Sequence, residues 1–191
     1  QMGTSAPLLF NGGNGGLGMA LLDVDLFLQI AAGGEPYSTT NVPPGAPGEE
    51  LAFVRSVAND AFRYREAIQT ATGRADNDVS YPSSRLGEEM AAVARLIKGR
   101  LGSRIYLVSL GTFDTHANQP DQHARLLQEL SQALVSFYAD LAVTDDARRT
   151  LSVTFSEFGR RVAENGSNGT DHGTAAPLFL FGPSAIGGLY G

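Results

Sequence analysis

The chain has 191 residues, no cysteine and a formal net charge of −6. That charge argues against a nucleic-acid backbone as the main partner, because phosphates need a basic face. The lack of cysteine excludes disulfides and thiolate metal sites, and no apolar run approaches the ~20 residues that span a bilayer.

The first element in chain order is Pro7-Leu8-Leu9-Phe10, a short apolar run that reads as a strand. It leads into a glycine-rich stretch in which Gly13, Gly15 and Gly18 fit the spacing G-x-G-x-x-G. Such glycines let a backbone approach a pyrophosphate. A run this rich in glycine fits many patterns by chance, so a plain loop is the preferred reading. Residues 33–48 carry Pro36, Pro43, Pro44 and Pro47 and read as a Pro/Gly-rich surface loop.

Three helices follow. Glu49–Thr72 places Leu51, Val54, Val57, Ala58, Ala61, Phe62 and Ile68 on one stripe, and Gly73 stops it. The second begins after Ser84, a candidate cap, with Leu86, Met90, Val93, Leu96 and Ile97 on its apolar face. The third opens at Pro120 and runs to about Val143, with a stripe from Leu126 to Leu141.

The apolar runs Ile105–Val108 and Leu151–Phe155 bracket the third helix and read as buried strands; Pro177–Phe181 reads as another. A strand, a helix and a second strand imply a right-handed crossover between parallel strands. Residues 104–109, 151–156 and 177–182 are therefore expected as neighbouring, mainly parallel strands, with 120–143 across one face. The expected fold class is α/β, a mainly parallel sheet flanked by helices. It forms a single α/β domain over 1–191, or the C-terminal portion of one.

Open α/β sheets bind ligands at the carboxyl ends of their strands. Here those ends carry Asp114 and His116, then Glu157 and Arg160, then Asp171 and His172. Carboxylate with imidazole is a donor set for zinc, manganese or a similar divalent ion. Asp114 and His116 project the same way if the strand continues. Asp171 and His172 are adjacent and need an irregular backbone to converge, which Gly169 and Gly173 allow. Arg160 suits an anionic oxygen. Blander readings stand beside these. Asp114 can simply cap a turn, His116 and His123 can be surface residues, and Glu157 with Arg160 can form a structural ion pair. Asn165-Gly166-Ser167 and Asn168-Gly169-Thr170 fit the glycosylation pattern, which Gly/Asn loops generate freely.

Three stretches carry a resemblance: Gly111–Gln119, Thr154–Arg161 and Gly169–Thr174. They resemble the domain-of-unknown-function 1501 family over about residues 104–191. The resemblance implies an alkaline-phosphatase/sulfatase-like fold, and a bacterial protein exported by the twin-arginine route to a periplasmic or other extracytoplasmic place. It implies metal ligands at Asp171 and His172, with Asp114 and His116 serving a partner metal. It also implies that the N-terminal portion of the protein, with a Ser/Thr nucleophile and a further Asp ligand, lies outside this chain. The expected activity is metal-dependent hydrolysis of a small anionic phosphate or sulfate ester, with Arg160 and Glu157 in catalytic roles. The alternative is a non-catalytic exported binding or structural protein. No Gly-x-Ser-x-Gly elbow supports a serine hydrolase.

Overall fold

The computed structural model describes residues 36–190, with two short backbone stretches at 11–12 and 15–16. Gly13 and Gly18 of the glycine-rich run, and the apolar run 7–10, lie outside the described residues. The chain divides into two units, Gln1–Arg74 and Ala75–Gly191.

In the first unit, β1 (Asn11–Gly12) pairs antiparallel with β2 (Gly15–Gly16). Helix α1 spans Ala46–Thr72, with a proline in its first turn. It starts ahead of the expected Glu49, because Pro47 has no N–H to lose there and its fixed φ is already helical. Gly45 precedes the helix at φ 84°, a left-handed conformation that suits glycine. The preceding loop folds back onto α1. The Asn59 amide accepts from Tyr37 N at 2.6 Å and donates to Tyr37 O at 2.8 Å. Arg55 donates to the carbonyls of Ser38 and Asn41.

The second unit is built on two helices. Helix α2 covers Arg85–Lys98 and α3 covers Gln119–Val143. Ser84 is extended, and its Oγ accepts from Gly87 N at 3.2 Å, so it caps α2 as its sequence context predicts. Leu86, Met90 and Ala94 of α2 meet Ala133, Leu134, Phe137 and Leu141 of α3 to form the core. Each large side chain buried there contributes roughly 1.5–3 kcal/mol. A 3-10 turn, Asp146–Arg149, closes the far end with Ala147 in the same core.

An ion cluster is buried beside this core. Lys98 Nζ donates to Asp140 Oδ1 at 2.6 Å and to Asp78 Oδ2 at 2.5 Å. Asp140 also accepts from Asn77 Nδ2, Asp78 N and Tyr81 Oη. These bonds fasten the 76–81 turn to both helices. Burial pushes the Asp140 carboxyl up, but hydrogen bonds from Asn77 and Lys98 outweigh it, and the net shift is down.

The expected parallel sheet is absent among the described residues. Strands β3 (Ser152–Val153) and β6 (Leu180–Phe181) pair antiparallel, with Ser152 opposite Phe181. Strands β4 (Gly159–Arg160) and β5 (His172–Gly173) also pair antiparallel. Residues 104–109 join no strand. The β-α-β crossover and the alkaline-phosphatase-like sheet are therefore overturned. The apolar runs do show the two-residue alternation of a strand: Val108 and Leu110 pack on the core while Ile105 and Leu107 are exposed. Alternation fixes which side faces the core; it does not fix a ladder partner. For 151–153 that partner is 180–181, and Tyr138 of α3 pins the pair by bonding Ser152 Oγ and Phe181 O. Leu151, Val153, Phe155, Leu178, Phe179 and Leu180 are left exposed along this ribbon.

Candidate metal centre

Two loops build the site. The first, residues 111–118, runs from Leu110, which packs against the core, into α3. It contains two non-glycine residues at positive φ, Thr112 at 68° and Asn118 at 47°. Asn tolerates the left-handed region, whereas a β-branched Thr there is strained. The ring of Phe113 meets His123 edge-on at 5.6 Å, which ties the loop to the first turns of α3.

The second loop joins β4 to β5. The register sets Arg160 opposite His172 and Gly159 opposite Gly173. Residues directly opposite share one face of a ribbon. The Arg160 guanidinium donates to Phe113 O at 2.6 Å and to Thr170 O. It therefore joins the residue before Asp114 to the residue before Asp171.

Between these loops three ligand-type side chains converge. His172 Nε2 lies 2.8 Å from Asp114 Oδ1, and His116 Nδ1 lies 3.2 Å from the same oxygen. One ligand atom from each of Asp114, His116 and His172 falls within 4.8 Å of the others. The two imidazole centroids are 4.9 Å apart. Phe158 stacks on His172 at 4.2 Å and 18°, fixing the ring plane, and the Arg160 guanidinium carbon lies 5.1 Å from the centroid of the Phe158 ring. All three ligand residues are exposed, with side-chain accessibilities of 60% for Asp114 and 48% for each histidine.

The hydrogen bond from His172 holds the Asp114 carboxyl below its ordinary value, and the charges of His116, His172 and Arg160 act the same way. An ionised carboxylate can only accept, so His172 carries its proton on Nε2 in this arrangement.

The other expected site residues lie elsewhere. Asp171 Oδ1 accepts from Asn165 Nδ2 at 3.1 Å, and its Oδ2 lies 3.9 Å from Arg161. It is outside the three-residue cluster, as are Glu157 and His123. The ion pair of Arg160 among the described residues runs to Asp114, at 3.8 Å, and not to Glu157. Two contributors went unrecognised in the sequence. Phe158 sits in a Glu-Phe-Gly run with no pattern to mark it. Asn165 showed only as a glycosylation match, yet its amide reaches His116 O at 3.0 Å and closes its own loop through Ser167 N and Gly169 N.

The donor chemistry fits a divalent ion: one carboxylate and two imidazoles, the ligand set of three-ligand zinc and related centres. Neither the curated proteins nor the solved structures contain a match to this chain. A family model, described as a protein of unknown function (DUF1501), matches residues 48–191, and the chain belongs to that family.

Proposed function

We propose that Asp114, His116 and His172 are the protein ligands of a divalent-metal centre that hydrolyses phosphate or sulfate esters. The observation that supports this is the convergence of three ligand atoms within 4.8 Å from loops far apart in sequence. A bound divalent ion supplies Lewis-acid polarisation of an ester oxygen and a nucleophilic water at neutral pH. The remaining work falls to the chain. Asp114 is held ionised and so is ready to ligate. To ligate through Nε2, the neutral His172 ring carries its proton on Nδ1 instead, a change of tautomer that breaks the bond to Asp114. Arg160 places a fixed positive charge beside Asp114 and favours an anionic ester on this face. Glu157, exposed one residue before Phe158, enters as a carboxylate at the rim. The chemistry is alkaline-phosphatase- or sulfatase-like, without the parallel sheet, and an extracytoplasmic location belongs to the same reading.

The openness of all three ligands favours a second reading, an exported protein that binds an ion without turnover. One experiment addresses both. Purified protein is incubated with zinc or manganese, desalted, measured for bound metal, and screened with nitrophenyl phosphate and nitrophenyl sulfate. About one ion per chain in the wild type, lost in His172→Ala, with ester cleavage lost in parallel, is the expected result. Bound metal without cleavage of any ester leaves the second reading. Metal uptake equal in wild type and His172→Ala would sink the centre.

A further inference from the structure

We infer that Asn165 and Asp171 are positioning residues that stand behind a three-ligand centre, and that Asp171 is not itself a ligand. The inference rests on the metal reading above.

Adjacent residues of an extended segment point to opposite sides. Asp171 and His172 obey this rule. His172 faces Asp114, and Asp171 faces Asn165. Asp171 directly precedes β5, whose pairing of His172 with Arg160 holds the imidazole on the side of Asp114, and the ligand-atom cluster takes in His172 but not Asp171.

Asn165 uses all of its hydrogen-bonding capacity. Nδ2 donates to His116 O at 3.0 Å and to Asp171 Oδ1 at 3.1 Å. Oδ1 accepts from Ser167 N at 2.9 Å and Gly169 N at 3.1 Å. A single amide thus touches the backbone of one ligand, the neighbour of a second, and its own loop. The seam continues on either side. Asn118 N donates to Ser167 O, Gln119 N to Asn168 O, and Thr170 Oγ1 to Gln119 Oε1. Gly169 lies so close that a Cβ there would sit 2.4 Å from His116 C and O. Exposed imidazoles on two independent loops would lose their spacing to loop motion. The seam removes that freedom before any ion arrives, and residues of this kind typically change metal affinity by ~10–100-fold.

The test is a cobalt(II) titration of the full chain, followed by its visible absorption band, together with imidazole NMR spectra of the metal-free protein. Asn165→Asp keeps the acceptor that closes the loop and deletes both donations; Asn165→Ala deletes everything. Asp171→Asn keeps the oxygen that Asn165 needs. The expected result is a ~10–100-fold weaker affinity and a shifted band for both Asn165 variants, near wild-type binding for Asp171→Asn, and no binding for His172→Ala. Loss in Asp171→Asn equal to that in His172→Ala would make Asp171 a ligand and overturn the inference. Wild-type affinity and band in Asn165→Asp would overturn it as well. If the wild type takes up no cobalt, the metal reading fails by itself. The metal-free spectra still decide the positioning: shifted His116 and His172 signals in Asn165→Asp support it, and unchanged signals reject it.

Discussion

His172 Nε2 and Asp114 Oδ1 meet at 2.8 Å although 58 positions separate the residues in sequence. This contact sets the charge state of the site. Removing the imidazole takes away the largest influence holding the Asp114 carboxyl down. His172→Ala is therefore expected to raise the Asp114 pKa towards the ordinary 3.8. Carboxyl NMR titration measures this. The contact is complete above the ordinary carboxylate value and disappears only as pH falls through the lower value of the folded state. An Asp114 titration unchanged in His172→Ala would show that the bond is not formed in solution.

The buried pair Lys98–Asp140 predicts a different response. Asp140 is wholly buried and Lys98 nearly so. Asp140→Ala removes the buried carboxylate of the pair and strands the donors of Asn77, Asp78 and Tyr81, leaving Asp78 as the carboxylate partner of Lys98, and is expected to cost about 3–5 kcal/mol, read by denaturant melts. The folded Asp140 carboxyl lies below 3.8, so its stabilising share is present above that value and lost as pH falls below it. Burial lowers the Lys98 pKa, but the bonds to Asp140 and Asp78 raise it above 10.5 overall. Its share is present below 10.5 and lost as pH rises through the higher folded value. The gap between wild type and Asp140→Ala should therefore stay flat across neutral pH. A gap that closes near pH ~6–7, where an ordinary histidine titrates, would point to some other group.

Thr112 holds φ 68° within the metal loop, two residues before Asp114. A left-handed β-branched residue costs on the order of 1–3 kcal/mol, partly offset in Thr112→Gly by the flexibility glycine gives the unfolded chain. Thr112→Gly is expected to stabilise by up to about 1 kcal/mol, visible as a higher melting temperature. A clear loss of stability would mean the Thr112 side chain has a contact worth more than the strain.

Gly169→Ala tests the seam by steric means. Its Cβ would collide with the backbone of His116 at 2.4 Å, so one loop must move. We expect a loss of roughly 2 kcal/mol or more and weaker metal uptake. Gly166→Ala is the control, because a Cβ there meets nothing within 4 Å. Equal behaviour of the two variants would count against close packing of the loops.

The helices were legible in the sequence because their signals are local. The stripe of Leu86, Met90, Val93, Leu96 and Ile97 and the Ser84 cap depend on residues a turn apart. Strand pairing is not local. The run Ile105–Val108 alternates correctly and still joins no ladder, while Ser152–Val153 pairs with Leu180–Phe181, antiparallel, at the far end of the unit. Asp114, His116 and His172 could be named from their chemistry alone. The separation of Asp171 from them could not, since it depends on which way β5 faces. Asn165 was hidden because its role lies in a backbone carbonyl contact with His116, and carbonyl positions leave no mark on residue type.

The ribbon of β3 and β6 has a consequence for handling the protein. Its six exposed apolar side chains lie in and beside two strands whose outer edges carry no further strand among the described residues. Unpaired edges with apolar flanks are templates for another copy of themselves. The chain in this form should self-associate as concentration rises, through this ribbon and not through the charged metal loops. Lysine at Val153 and Leu180 should suppress the effect in light scattering and leave ion uptake untouched.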